Sequence, residues 1–227
     1  MRIGLQKLTL QDYPGKVACI LFTAGCNFRC PYCHNGDLVL GPEPGLSAED
    51  GLAFLRKRAG LLDGVCISGG EPLMHAETLR LAAEAKAMGY SVKIDTNGSY
   101  PAVLEQMIAH RLVDYVAMDI KNSPQRYAET IGLRHFSLEP VRKSVSLLLS
   151  GAVAYEFRTT VVREFHRPED LEAIAHWIAG ADRYFLQSFQ DGEKVIRPGL
   201  HGYTQEELIR IAARLKDKVP SVQVRSA

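Results

Sequence analysis

Six short stretches of the chain are rich in Val, Ile, Phe and Tyr, and several are apolar nearly throughout. They are VACILF near 17–22, GVCIS at 64–68, SVKID at 91–95, DYVAMDI at 114–120, YEFRTTVV at 155–162 and RYFLQ at 183–187. Runs of this length and composition predict strands covered on both faces. Longer amphipathic stretches lie between them. SAEDGLAFLRKRAG predicts a helix capped by Ser47 and closing near Gly60, and MHAETLRLAAEAKAMGY one from about 74 to 88 that stops at Gly89. PAVLEQMIAHR, LEPVRKSVSLLLSG, RPEDLEAIAHWIAG and TQEELIRIAARLKDK supply four more.

A strand–helix alternation repeated about six times implies parallel strands joined by right-handed crossovers. Six units fall short of the closed eight-stranded form. The expectation is therefore an α/β fold, an open partial (β/α)6 barrel, with a doubly wound open sheet as the alternative. In such folds chemistry collects at the carboxyl ends of the strands. CNFRCPYCHN follows the first strand, SGGEP the second, DTNG the third and DIKNS the fourth, while LQSFQDG ends the sixth.

Composition narrows the picture by exclusion. A net charge of +1 over 227 residues, with no long run of like charge, gives no basis for nucleic-acid binding. MRIGLQKLTLQDYPGK is too polar for a signal peptide, and no apolar run is long enough to span a membrane. The expectation is a soluble, cytoplasmic protein with no membrane association. With no repeat and no long linker, residues 1–227 are expected to form a single domain. Five cysteines in such a chain point to metal or redox chemistry rather than disulfides. Cys19 and Cys66 sit inside apolar runs and read as buried hydrophobes.

The other three, Cys26, Cys30 and Cys33, form a C-x3-C-x2-C loop. Three thiolates at this spacing can hold three irons of a four-iron cube. No cysteine follows Cys66, so the fourth iron would be left for a substrate. A zinc site of Cys26, Cys30, Cys33 and His34 is the alternative, although adjacent residues such as Cys33 and His34 rarely both reach one tetrahedral ion. Phe28 and Tyr32 are placed to shield a cluster from water.

GCNFRCPYCHN resembles the signature of the radical S-adenosylmethionine (SAM) superfamily. Together with LTLQDYPGKVACILFTAGCNFRCPYCHN, ISGGEPL, KIDTNG and VAMDIKNS it looks like the glycyl-radical-enzyme activating proteins. The likeness runs to the group that activates anaerobic ribonucleoside-triphosphate reductase, and pyruvate formate-lyase activating enzymes are similar. The resemblance implies one [4Fe-4S] cluster on the three cysteines, with SAM bound through its amino and carboxylate groups to the open iron. An electron passed through the cluster, from a flavodoxin or ferredoxin, would then cleave SAM to a 5′-deoxyadenosyl radical. That radical would abstract a glycine Cα hydrogen from the partner enzyme. An eight-cysteine ferredoxin-like insert found in many activating enzymes is missing, since only a short turn-rich link joins Gly36 to Ser47.

Carried over by position, the resemblance assigns SAM contacts to Tyr32, His34, Gly70, Glu71, Asp119, Lys121, Arg158 and Gln187. It also assigns a monovalent cation, Na+ or K+, to Asp95, Thr96, the Ala117 carbonyl and Asp119. Plainer readings stand beside these. GGEP can be an ordinary turn before a helix, and N-G is a common turn in which Asp95 caps the backbone near Ser99. Asp119 and Lys121 can be a solvated pair, and Arg158 can pair with Glu156. Phe189 stands where the pyruvate formate-lyase type has a histidine near the ribose, which leaves the adenosine contacts open. His110, His135, His166, His176 and His201 show no ligand spacing and read as surface or packing residues. Two further enzyme and non-enzyme readings remain: a small-molecule radical SAM enzyme such as 7-carboxy-7-deazaguanine synthase, and a cluster or zinc carrier or sensor.

Overall fold

The computed structural model describes residues 1–41 and 45–225. In chain order the elements are β1 (Arg2–Thr9), β2 (Ala18–Thr23), α1 (Gly36–Leu40), β3 (Leu46–Ser47), α2 (Ala48–Arg58), β4 (Gly64–Gly69), α3 (Glu77–Ala87), β5 (Ser91–Thr96), α4 (Pro101–Ala109), β6 (Tyr115–Asp119), α5 (Tyr127–Thr130), α6 (Glu139–Leu149), β7 (Ala154–Val161), α7 (Pro168–Trp177), β8 (Tyr184–Ser188), α8 (Gln205–Leu215) and β9 (Val222–Arg225). One 3-10 turn, Pro72–Met74, precedes α3. The strands form one sheet in the order β3-β1-β2-β4-β5-β6-β7-β8-β9. From β2 to β9 every pairing is parallel. All six expected strands are present, and they form the open, curved (β/α) sheet the alternation implies.

The sheet extends beyond those six at both ends. β1 runs antiparallel to β2 and carries β3 on its other side. β1 buries only Ile3 and Thr9 fully, so its sequence RIGLQKLT lacks a strand's apolar signal. β9 has four residues, VQVR, whose alternating polarity suits an edge strand. The link after the cysteines holds one helical turn, α1, and Pro42 to Pro44 of that link lie outside the described residues.

Local sequence explains the helices. Ser47 and Asp50 form a reciprocal capping box at α2, with Asp50 N donating to Ser47 Oγ at 3.2 Å and Ser47 N donating to Asp50 Oδ2 at 2.9 Å. Thr204 and Glu207 do the same at α8, whose Leu208, Ile211, Ala212 and Leu215 form one buried stripe. Pro101 and Pro168 sit in the first turns of α4 and α7, where a missing N–H costs nothing.

Strand parity sorts the sheet into two faces. Val65, Ile67, Val92, Ile94, Val116, Met118, Phe157 and Val161 are fully buried on the helix-covered face. The paired registers Cys66 to Lys93, Asp95 to Ala117, and Asp119 to Arg158 place those residues on the other face, inside the curve of the sheet. That inner face carries charge, which is unusual for a parallel strand covered on both sides. Of the described residues, no helix is long and apolar enough to cross a membrane.

Candidate functional site

A cleft of about 830 Å³, including its open mouth, lies at the carboxyl ends of β2 and β4 to β7. One wall is the loop after β2 with Cys26, Cys30 and Cys33, and Gly69 and Gly70 close beside it. The other wall is Ser68, Asp95, Thr96, Asn97, Asp119, Lys121, Arg158 and Thr160.

The cysteine wall is built from backbone. Gly69 has φ +115° and Gly70 lies so close to the Gly25 carbonyl that any Cβ there would overlap it. Glu71 N donates to Gly25 O at 2.9 Å and Asn35 Nδ2 to Gly69 O at 3.0 Å, tying the second strand end to the loop. The close approach that these glycines allow is thus made to the cysteine loop and the end of β2. A distant segment straps the loop from outside: Arg197 N donates to Pro31 O at 2.8 Å, Ile196 N to Cys33 O at 3.3 Å, and Gly36 N to Lys194 O at 3.1 Å.

Phe28 and Tyr32 are buried under this loop. Phe28 packs edge-on against Phe136 with ring centroids 5.2 Å apart, and Tyr32 against Phe165 at 5.7 Å. His34 is exposed and lies over Phe189 at 5.2 Å. Burial pushes the Cys26 thiol up to about 11 and Cys30 to about 12, and raises Cys33 as well; Lys121 opposes the rise in all three. No group of three or more His, Cys, Asp or Glu among the described residues is drawn together around a single ion. Three thiols on one loop, with the Lys121 charge acting on all of them, are a donor set that fits a negatively charged iron–sulfur cluster.

The opposite wall is a lattice of charges. Arg158 donates through Nε to Asp119 Oδ1 at 3.0 Å and reaches Asp95 Oδ2 at 3.6 Å. Lys121 meets Asp119 Oδ2 at 3.0 Å, Ser68 Oγ donates to Asp95 Oδ2 at 2.9 Å, and Lys93 pairs with Asp95 Oδ1. Burial would raise the Asp95 carboxyl, but the Lys93 and Arg158 charges outweigh it and hold Asp95 at about 2. In the same way burial opposes ionisation of Asp119, and Arg158 and Lys121 prevail. On the cleft wall Arg158 and Lys121 thus balance Asp95 and Asp119, and Lys93, which does not line the cleft, gives Asp95 a second cation.

The expected site residues divide clearly. Cys26, Cys30, Cys33, Tyr32, His34, Gly70, Asp95, Thr96, Asp119, Lys121 and Arg158 line the cleft. Glu71, Ala117 and Gln187 do not line it. Glu71 is fully buried behind the wall and accepts from Leu73 N at 3.0 Å, Thr96 Oγ1 at 2.8 Å and Asn97 N at 2.7 Å. Ala117 is buried within β6, and Gln187 pairs in the ladder at the β8 to β9 edge. Two plainer readings are corrected. Arg158 does not pair with Glu156, which is held instead by Arg225 at 2.9 and 3.1 Å and by Tyr115 Oη at 2.8 Å. The cap at Ser99 is Asn97, not Asp95, with Ser99 N donating to Asn97 Oδ1 at 2.9 Å.

Lys93 and Asn97 were not singled out from sequence. Lys93 is only 2% exposed, and its signal is parity: it lies two residues before Asp95 on the same strand. His166, expected at the surface or in packing, is buried and hydrogen-bonds through Nε2 with the Lys121 carbonyl at 2.7 Å, steadying that segment.

A family model described as the radical SAM superfamily matches residues 20–178, which run from within β2 through the cysteine loop and past β7. The chain belongs to the radical SAM superfamily. A protein of Methanocaldococcus jannaschii, provisionally named a glycyl-radical enzyme activating enzyme, is 37% identical over 194 residues, covering 82% of this chain and 79% of the relative. This places the chain in the glycyl-radical-enzyme activating group of radical SAM enzymes. The pyruvate formate-lyase-activating enzyme of Clostridium pasteurianum is 35% identical over 127 residues, and the match spans about half of either chain, 52% and 51%. Among solved structures, SuiB of Streptococcus suis bound to S-adenosylmethionine shares the fold with a TM-score of 0.71 at 14% identity, over 92% of this chain and 51% of that one. A domain of a pyruvate-formate lyase-activating enzyme from Bacteroides vulgatus gives 0.59 at 14% identity, over 71% of this chain and 98% of that one.

Proposed function

We propose that residues 1–227 act as one radical SAM domain that activates a glycyl radical enzyme, anaerobic ribonucleoside-triphosphate reductase in the first place. The observation that carries this reading is the pairing of a three-thiol loop with a wall that presents Arg158 and Lys121, across a single open cleft. When bound, a [4Fe-4S] cluster and SAM supply the one-electron sulfonium cleavage whose 5′-deoxyadenosyl radical takes a hydrogen from a glycine Cα of the partner.

The chain's own residues have definite roles in this reading. Cys26, Cys30 and Cys33 hold the cluster, and Phe28 and Tyr32 keep water from it. Arg158 and Lys121 receive a carboxylate, and Asp119 offers oxygen to ribose hydroxyls. Gly70 presents bare backbone to an amino group. Glu71 fixes Thr96 and Asn97 from behind. The mouth of the cleft stays open, which suits entry of a protein loop carrying the glycine. The chain would work in the cytoplasm, with a flavodoxin or ferredoxin as its electron donor.

The monovalent cation needs a different treatment. A Na+ or K+ at Asp95, Thr96 and Asp119 would have to compete with Lys93, Arg158, Lys121 and Ser68, which already occupy the two carboxylates. In our reading the Lys93 ammonium supplies that charge from within the chain. Exchange of Na+ and K+ for a bulky organic cation should leave 5′-deoxyadenosine formation unchanged, and a marked dependence would return the alkali ion to the site.

The test of the main reading is anaerobic reconstitution with iron and sulfide, followed by reduction in the presence of SAM and candidate glycyl radical enzymes. The expected results are 5′-deoxyadenosine and an electron paramagnetic resonance doublet on the reductase. A doublet only on pyruvate formate-lyase would move the partner and keep the chemistry. 5′-Deoxyadenosine without a doublet on any glycyl radical enzyme would favour a small-molecule substrate, and none at all would favour a carrier or sensor.

A further inference from the structure

The Cys26 sulfur lies within hydrogen-bonding reach of N–H groups from two different loops. Phe28 N, from its own loop, lies 3.3 Å away. The second is Asn97 Nδ2, 3.8 Å away, which comes from the turn after β5. Which end of the Asn97 amide faces the sulfur is settled by its neighbours. Its Oδ1 accepts from Ser99 N at 2.9 Å and from Ser99 Oγ at 2.6 Å, so the NH2 must be the end turned toward Cys26. One amide proton goes to Asn27 Oδ1 at 3.0 Å, and Asn27 Nδ2 donates in turn to Ser99 Oγ at 2.9 Å. That leaves the other amide proton for the sulfur.

This arrangement is anchored from behind. Asn97 is 5% exposed, and its backbone N–H is held by the buried Glu71 carboxylate at 2.7 Å. A thiol at Cys26 could donate as well as accept, but a metal-bound thiolate can only accept. On the reading above, that Cys26 is a cluster ligand, we infer that Asn97 is a positioning residue that donates an N–H···S hydrogen bond to the Cys26 thiolate and raises the cluster's reduction potential. The physical reason is charge: reduction adds an electron to a buried cluster, and a donor fixed at a ligand sulfur stabilises the more negative state. An aspartate in place of Asn97 would set a carboxylate there and do the opposite.

The test is an anaerobic redox titration of the reconstituted cluster without SAM, followed by electron paramagnetic resonance. It compares the wild type with Asn97→Leu and Asn97→Asp, each at matched iron content. Asn97→Leu is expected to shift the reduction equilibrium about tenfold toward the oxidised state, about 59 mV for one electron. Asn97→Asp, which keeps the Ser99 contact but sets a negative charge at the sulfur, is expected to shift it further in the same direction. Ser99→Ala, which loosens the amide without touching the sulfur, should give a smaller shift of the same sign. Unchanged midpoints in variants that retain four irons would overturn the inference and leave the cluster reading intact. Loss of iron from both Asn97 variants would also overturn it, since that is what a residue needed only to hold the loop would do. Failure of the wild type itself to assemble a cluster would instead remove the reading on which the inference rests.

Discussion

The two walls of the cleft face each other but are held together by different forces. The cysteine wall depends on backbone meeting backbone: Gly70 against Gly25, Gly69 against Thr23, and a strap of main-chain hydrogen bonds from Lys194 to Arg197. The opposite wall depends on side-chain charge, with Asp95 and Asp119 each answered by two cations. A backbone wall tolerates almost no added volume, whereas a charged wall tolerates changes of volume but not of balance. The difference matches what each wall has to do. On the reading proposed above, one wall holds a rigid inorganic group, and the other keeps Arg158 and Lys121 in place for a charged ligand.

Substitutions can break this contrast in order of size. Gly70→Ala attacks the backbone wall where a Cβ has nowhere to go. It is expected to cost about 3 kcal/mol in chemical denaturation and to lower 5′-deoxyadenosine formation about 100-fold by shifting the loop. Lys93→Met removes the buried cation that serves Asp95 from within the sheet. Removing one partner of a buried pair costs about 3–5 kcal/mol, and the lower figure applies because Arg158 and Ser68 still serve Asp95. The double variant Lys93→Met with Asp95→Asn should recover most of that loss, and no recovery would mean Lys93 acts through packing alone.

Glu71 joins the two walls, and its signature is pH. Burial is the leading cause of the rise in its carboxyl from the ordinary 4.5 to about 7. Because the folded value lies above the unfolded one, this group's contribution to stability is fully present below about pH 4.5. It is lost as pH rises toward about 7. Glu71→Gln should flatten that part of the stability profile, and identical profiles for the two proteins would show that Glu71 does not titrate in this window. The smallest effect is expected at His34, which is exposed and contributes one ring contact with Phe189. His34→Ala should cost about 0.5 kcal/mol and leave the iron content of reconstituted protein unchanged. Loss of metal from that variant would revive a single-ion site with a histidine ligand.

What could be read from sequence follows the same division. The six inner strands were legible because their helix-facing residues give long apolar runs, and the cysteine loop because its spacing has chemical meaning. β1 and β9 were not, since a strand with two or fewer fully buried residues leaves no periodic trace. The charged wall was legible only in its ends. Asp119 and Lys121 stand out in VAMDIKNS, but Lys93 looks like a surface residue until the register sets it beside Cys66 and Asp95. Asn97 was hidden for another reason: N-G signals a turn so strongly that a second use for its side chain leaves no separate mark. The pairing of Arg158 with its neighbour Glu156 failed because residues two apart on a strand share a face yet can take different partners across the ladder. Here Asp119 lies directly opposite Arg158, and Arg225 claims Glu156.

The strap across the cysteine loop has a consequence for how the protein is made. Cys33 leaves the ribosome about 160 residues before Ile196, the residue that closes over it. At about 5–20 residues per second, the three thiols wait on the order of 8 to 30 s with their outer side uncovered. Iron and sulfide delivery during that interval would meet an accessible loop, and so would oxygen.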